Sequence, residues 1–186
     1  LKKRITVHVF TSEPNYNNFK YKHKKKEAIY KGVKIRYFKT FKKTKDNFTN
    51  IFLDYFTYII NLTLKINFFL KEKSDITLTF ATSPIFQAIP AIYFSKLKKI
   101  PSIIWVQDLW PEVLEDTGYV KNKIILNLIN RLVNIIYNSS DFILVQSDSF
   151  KKHLLKNYDL KNKILTLHQP SEFKFQKFDK KKKKIF

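Results

Sequence analysis

The sequence predicts an α/β fold, a Rossmann-like and mostly parallel sheet with helices on both faces. Short apolar runs rich in β-branched and aromatic residues alternate along the chain with longer segments of helical period. The short runs are apolar throughout, as is typical of strands in a parallel sheet that is covered on both faces. The 186 residues are 44% hydrophobic and include only 2 Gly and 6 Pro, which favours a packed domain over disorder.

Ten segments account for this fold. Six have the length and composition of strands, at residues 5–10, 33–38, 76–81, 102–106, 142–145 and 164–167. Four have the period of helices, at residues 51–70, 84–99, 124–138 and 148–158. The last two thirds of the chain therefore alternate strand and helix, which is the pattern of parallel strands joined by crossover helices.

The first predicted helix is about 30 Å long at 1.5 Å per residue, enough to cross a membrane. However, polar side chains repeat along one of its faces (Asp54, Thr57, Asn61 and Lys65), and apolar side chains form the other (Phe52, Phe56, Ile59 and Ile60). The segment therefore predicts an amphipathic helix that packs on the sheet or lies at a membrane interface.

The third predicted helix is also two-sided and is expected on the surface of the domain. Its predicted solvent face carries Asn127, Asn130, Arg131, Asn134 and Asn138. Its predicted buried face carries Ile125, Leu128, Ile129, Leu132 and Ile136.

Composition and motifs exclude several kinds of site. With no cysteine, the chain has neither a disulfide framework nor a thiolate metal site. It also lacks the glycine-rich dinucleotide fingerprint, the P-loop, the HExxH zinc motif and any spacing that suggests a Ser-His-Asp triad. We therefore expect neither a metal nor a cofactor, and we interpret the four scattered histidines as structural or exposed.

The chain is strongly basic, with a formal net charge of +21. Its lysine runs, at residues 20–26, 42–45 and 180–184, fall in predicted loops or at the end rather than on a recognition helix. This placement favours an anionic membrane surface over nucleic acid, although a basic nucleic-acid-binding protein stays an alternative. With no cysteine and no signal peptide, the expected location is cytoplasmic, peripheral on the inner face of the plasma membrane.

Polar side chains follow four of the predicted strands, at the edge where parallel sheets bind ligands. Asp108 is the first candidate for contact with a substrate hydroxyl and Glu112 the second, because two tryptophans flank this loop and aromatic rings bind sugars well. The other candidates are Glu13, Ser83, Gln107, Trp110 and Ser147. For each loop, the alternative is that these side chains only cap a helix.

Five segments resemble, in order, the amino-terminal domain of bacterial family-4 glycosyltransferases with the GT-B fold, close to the N-acetyl-fucosamine transferases of O-antigen and exopolysaccharide synthesis. They are VHVFTSEPNY at 7–16, YKGVKI at 30–35, ATSP at 81–84, VQDLWPE at 106–112 and VQS at 145–147. The resemblance implies that this domain binds a saccharide or polyprenyl-linked acceptor, while a second domain binds the nucleotide-sugar donor. It also implies transfer with retention at the anomeric carbon and usually without a metal.

Two departures from the family pattern limit what this chain can do alone. The family's first strand, with its glycine-rich loop, is expected before Leu1, and the chain contains no methionine. The donor-binding domain, with its paired glutamates, is expected after Phe186. We therefore expect residues 1–170 to form the acceptor-binding domain and residues 171–186 a linker and the start of the donor domain, and we expect the chain alone to be inactive. A binding subunit that recruits a separate catalytic chain is the other alternative.

Overall fold

The computed structural model describes residues 5–13, 26–41 and 48–169. It confirms the predicted fold class, because the chain is α/β, with a parallel sheet flanked by helices in a Rossmann-like arrangement. The predicted linker at 171–186 and the lysine runs, apart from Lys26, lie outside the described residues.

The larger sheet contains four parallel strands in the order β4-β5-β6-β7. They are β4 (Thr77–Ala81), β5 (Ser102–Val106), β6 (Phe142–Val145) and β7 (Ile164–Thr166). Their register places Ala81, Val106, Val145 and Thr166 side by side in one row. Residues at equal distances beyond this row therefore lie at the same edge of the sheet.

Helices precede and connect these strands, and all but a five-residue helix after β5 were predicted from the sequence. They are α1 (Phe48–Lys65), α2 (Ala88–Lys98), α3 (Glu112–Asp116), α4 (Lys123–Ser139) and α5 (Asp148–Asn157). Single turns of 3₁₀-helix follow α1 at Ile66–Phe69 and precede α2 at Ile85–Gln87. The side chain of Asn122 begins α4 by accepting hydrogen bonds from the Ile124 and Ile125 N–H groups. The side chain of Ser147 begins α5 in the same way, by accepting from the Phe150 N–H group directly after β6.

The core lies between the sheet and the α2–α4–α5 helices. Alternate strand residues on this face, including Ile104, Val106, Ile143 and Val145, are 0% exposed. Branched side chains suit such positions because they fill a pleated surface with little loss of rotamer freedom. The residues between them are more open, and Leu78 is 55% exposed. The sheet therefore has one tightly packed face and one looser face.

The smaller sheet contains β1 (His8–Ser12), β2 (Glu27–Tyr30) and β3 (Val33–Phe38), in the order β1-β3-β2. β1 is parallel to β3, whereas β2 forms an antiparallel hairpin with it. β2 is absent from the strands that the sequence predicts. Lys31 and Gly32 have φ of 48° and 81°, as a type I′ hairpin turn requires, so the glycine between two short runs was the overlooked signal.

The orientation of α1 differs from that of an ordinary surface helix. Its polar side packs inward: Asp54 is only 7% exposed, and Asn61 donates to the Lys39 carbonyl at 2.9 Å. Its apolar side faces outward, with Phe52 53% and Phe56 48% exposed. The polar side of α1 packs against the segment that follows β3. This packing leaves the apolar side of α1 facing outward.

The predicted buried face of α4 is partly wrong. Ile136 is buried as expected, but Leu128 and Leu132 are 57% and 45% exposed. The helix instead buries Val133 and Tyr137. The reason is geometric, because the apolar sector of α4 is wider than the strip that packs into the core.

Within the described residues, no helix is both long enough and apolar enough to span a membrane.

Candidate functional site

The candidate site lies at the carboxyl edge of the parallel sheet. Ser83, Asp108, Ser147 and His168 each stand two residues beyond the aligned row that ends the strands. Neighbouring strands lie about 4.8 Å apart, so side chains at this level can touch. The strand register thus explains why residues far apart in sequence meet.

A hydrogen-bond chain joins three of the predicted site residues. The Ser83 hydroxyl donates to Asp108 Oδ2 at 2.7 Å, and the Trp110 indole N–H donates to Ser83 Oγ at 3.3 Å. Trp110 is 8% exposed, so the indole end of the chain is buried, while Asp108 is half-buried. The result is a carboxylate whose orientation is fixed by the protein.

This arrangement decides what each group can do. The Ser83 proton is directed at a carboxylate, and no imidazole contacts Ser83 among the described residues, so Ser83 orients Asp108 and is not an activated nucleophile. Asp108 Oδ1 has no hydrogen-bond partner within the described residues. An ionised carboxylate is a strong acceptor, so Oδ1 is suited to accept a hydrogen bond from a hydroxyl group.

The two tryptophans do not present free ring faces to this edge. Trp110 packs against Phe86, with 5.5 Å between ring centroids, and Trp105 packs against Phe80 at 5.3 Å. Trp105 projects from the body of the sheet rather than from the loop beyond it. Trp110 therefore contributes its N–H group to the site, whereas the sequence analysis expected an aromatic surface.

Gln107 and Gln146 form a second polar layer beside Asp108. The Gln146 side-chain amide donates to the Gln107 carbonyl at 2.9 Å. The Gln107 side-chain amide nitrogen is buried and has no hydrogen-bond partner among the described residues. A buried unsatisfied donor is costly unless something fills the place of a partner. Within the described residues, the Gln107 amide nitrogen is closed to solvent as well as unpaired.

His168 belongs to the same edge, and the sequence analysis missed it as a site residue. Its Nδ1 lies 3.1 Å from the Gln146 carbonyl oxygen, which can only accept, so Nδ1 carries a proton. Its ring is exposed. The signal that finds His168 is the strand register, because this residue stands at the same level beyond β7 as Asp108 beyond β5.

Glu112 lies on an adjacent groove rather than in the Ser83–Asp108 chain. Its Oε1 is 2.6 Å from His153 Nε2, which also lies 3.0 Å from the Asn157 side-chain amide. The groove runs between α3, α4 and α5 and has a volume of about 380 Å³. Small-ligand pockets begin at roughly this size. The groove walls include Glu112, Glu115, Lys123, Asn127, Asn130 and Asn157.

Tyr158 forms the floor of this groove. Its hydroxyl donates to Asn130 Oδ1 at 2.5 Å and lies 3.4 Å from the Trp110 carbonyl. Burial, and secondarily the nearby Glu112 carboxylate, raises the pKa of Tyr158 to about 12. The hydroxyl is therefore a fixed neutral donor that holds Asn130 in place and joins the groove to the Trp110 loop.

The remaining two candidates have other surroundings. Ser147 accepts a hydrogen bond from the Phe150 N–H at 3.3 Å and so begins α5, which is the capping alternative considered for it. Glu13 follows β1 in the smaller sheet, where its N–H donates to the Phe38 carbonyl. Within the described residues, no hydrogen bond joins Glu13 or Ser147 to Asp108.

No cluster of three or more His, Asp or Glu side chains in the described part of the chain is placed to hold a metal ion. No protein-family model matches this chain, and no curated protein matches it significantly.

Proposed function

We propose that this chain is the acceptor-binding half of a retaining glycosyltransferase, with a separate Rossmann-like half that binds the nucleotide-sugar donor. The acceptor is a saccharide, most simply one carried on a polyprenyl diphosphate at the inner face of the plasma membrane. The resemblance to family-4 glycosyltransferases motivates the proposal. The observation that supports it most is the hydrogen-bond chain from Trp110 through Ser83 to Asp108.

The chemistry of the site suits a sugar hydroxyl. Asp108 Oδ1 accepts the hydrogen bond of the attacking hydroxyl, while Ser83 and Trp110 prevent the carboxylate from turning away. The hydroxyl oxygen is thereby held in one orientation toward the anomeric carbon of the donor. Such positioning supplies much of the rate in reactions that need no covalent step from the protein.

The polar groups around Asp108 are also of the kind that bind sugars. His168 lies on the same edge with an exposed ring, beside the hydrogen-bonded Gln107 and Gln146 pair. The groove beside Glu112 adds asparagine amides and a carboxylate, which pair with neighbouring hydroxyls through two atoms each. We assign the groove to a second sugar unit of the acceptor.

Binding of a soluble acceptor analogue to the 186-residue chain tests the proposal. The analogue is an N-acetylhexosamine linked to a short prenyl diphosphate, titrated by NMR. Asp108→Asn should weaken binding by about 10- to 100-fold, because it removes a hydrogen bond to a charged group worth about 1.5–3 kcal/mol. The matched control is Asp75→Asn, an exposed carboxylate near the opposite ends of the strands, and it should leave the affinity unchanged.

Transfer is tested in a polypeptide that carries both halves. We expect sugar transfer from a UDP-sugar to the lipid-linked acceptor, with a lower kcat/KM for Asp108→Asn and no transfer by the 186-residue chain alone. Acceptor binding without transfer in any two-half protein would instead favour the recruiting subunit. Binding of nucleic acid that weakens steeply with salt, without acceptor binding, would favour the nucleic-acid alternative.

A further inference from the structure

Three neighbouring helices expose apolar side chains on their outer faces. α2 packs between α1 and α4, and on each helix the exposed residues are about one turn apart. They are Phe52, Phe56, Ile60 and Leu64 on α1, Ile89, Tyr93 and Leu97 on α2, and Ile124, Leu128, Leu132 and Ile135 on α4, all at least 40% exposed. We call this surface the helical face.

The helical face lies at the upper end of what soluble monomers expose. Helices of this length, packed 8–10 Å apart, present an outer surface of roughly 600 Å². The largest apolar patch of a typical soluble monomer covers about 300–600 Å² and is often functional. The exposed residues are large, and several are as open as Leu64, at 70%.

The three helices themselves expose charges of one sign. They carry exposed cations at Lys65, Lys96, Lys123 and Arg131. Their only acidic residue is Asp54, which is 7% exposed and points into the protein. The nearby carboxylates of Glu112 and Glu115 belong to α3 and line the groove that Lys123 also lines. An apolar surface whose own helices expose cations and no carboxylate is complementary to anionic lipid headgroups over an acyl layer.

A second copy of the chain fits this surface less well. In a symmetric dimer, the same patch meets itself, so the cationic rims of the two copies would face each other. Like charges in such an interface repel, and the described residues of the three helices expose no carboxylate to offset them. The charge pattern therefore selects lipid over self-association.

We infer that the helical face is a membrane-docking surface, which lies on an anionic bilayer with its apolar side chains inserted among the lipids. This inference deepens the proposed function and rests on it only for the identity of the lipid-linked acceptor. It gives the chain a defined orientation, in which α1, α2 and α4 touch the bilayer and the sheet lies above them.

Vesicle flotation of the 186-residue chain tests the inference with two matched variants. Leu128→Glu lies on the helical face and Leu165→Glu on β7, outside this face; the wild-type side chains are 57% and 55% exposed. Both variants change the net charge equally, so any difference between them reports position. With vesicles of phosphatidylcholine containing 30% phosphatidylglycerol, Leu128→Glu should lower the partition coefficient at least tenfold, and Leu165→Glu less than twofold.

Neutral vesicles and a soluble acceptor complete the test. Wild-type binding should be at least tenfold weaker to pure phosphatidylcholine, and Asp108→Asn should bind anionic vesicles like wild type. If Asp108→Asn bound the acceptor as tightly as wild type, or if neither bound it, the proposed function alone would be overturned. Equal loss in Leu128→Glu and Leu165→Glu, no wild-type binding, or equal binding to neutral vesicles would overturn the docking surface. So would a wild-type dimer that Leu128→Glu dissociates without changing vesicle binding.

Discussion

Replacing Ser83 by alanine removes the middle of the hydrogen-bond chain that orients Asp108. The variant loses the 2.7 Å bond to the Asp108 carboxylate and leaves the Trp110 indole N–H, in a ring 8% exposed, without its partner. A hydrogen bond to a charged group contributes about 2 kcal/mol, and the longer indole bond about 1 kcal/mol. Ser83→Ala should therefore lower the free energy of unfolding by about 3 kcal/mol.

Trp110→Phe isolates the indole contribution. Phenylalanine keeps an aromatic ring against Phe86 but has no N–H group, so Ser83 still donates to Asp108. In the Trp110→Phe background, Ser83→Ala no longer leaves a buried indole N–H group without a hydrogen-bond partner. Its cost should fall to about 2 kcal/mol, which is a coupling energy of about 1 kcal/mol between the two positions.

Urea unfolding of the four proteins, followed by circular dichroism, measures this coupling. The slopes of the transitions should agree, so that midpoint differences report stability alone. Additive effects, within about 0.3 kcal/mol, would refute the hydrogen-bond chain. A stability loss in Ser83→Ala below about 1 kcal/mol would show that Ser83 does not hold the carboxylate.

Three further predictions concern the scaffold. Burial raises the pKa of the Tyr58 hydroxyl from 10.0 to about 12. Above pH 10 the unfolded chain therefore loses the Tyr58 proton before the folded chain does, and the free energy of unfolding falls up to about pH 12. Tyr58→Phe should reduce this fall by up to about 2 kcal/mol, measured by urea titrations at each pH. Asp141 accepts hydrogen bonds from both the N–H and the hydroxyl of Ser102, so Asp141→Ala should lower the stability measured by thermal unfolding by about 1–2 kcal/mol. Asp159 is likewise an exposed carboxylate but has no side-chain hydrogen bond in the described part of the chain, so Asp159→Ala should change stability by less than about 0.5 kcal/mol. Leu78 is 55% exposed on β4, an edge strand of its described sheet, where an apolar side chain favours aggregation between molecules. Leu78→Lys should therefore increase the soluble fraction on expression while the unfolding midpoint stays unchanged. An unchanged soluble fraction would show that β4 is not the site of aggregation.

The strands of the larger sheet could be predicted from the sequence because their composition leaves few alternatives. The runs at Ser102–Val106 and Phe142–Val145 are continuous, apolar and bounded by polar residues, and the structure has them at the predicted bounds. The strand Glu27–Tyr30 was not predicted, since its four residues are stabilised by pairing across the Lys31-Gly32 turn rather than by their own composition.

The candidate site could be predicted in part. The end of each strand is a local property, so Ser83 and Asp108 were found, and the structure joins them directly. The role of Trp110 depends on which way its ring turns after β5, and His168 depends on the register of β7. Both are tertiary facts that no short window of sequence contains.

The exposed faces of α1 and α4 could not be predicted from periodicity. A helical period shows that two faces differ, but it does not show which face meets the protein. On α1, the buried face includes Asp54, and on α4 Val133 is buried in the core while Leu128 stays exposed. Only the arrangement of neighbouring elements settles such a choice.

The layer formed by α1, α2 and α4 also sets a distance. One layer of helix is about 10 Å thick, so a sheet that rests on it, with Asp108 at its edge, lies at least about 10 Å above whatever surface the helices touch. A hydroxyl close to the surface would then fall short of the carboxylate, and one on a longer arm would reach it. The thickness of the helix layer would therefore require an acceptor of sufficient length, in addition to the hydrogen bonds that require the right chemistry.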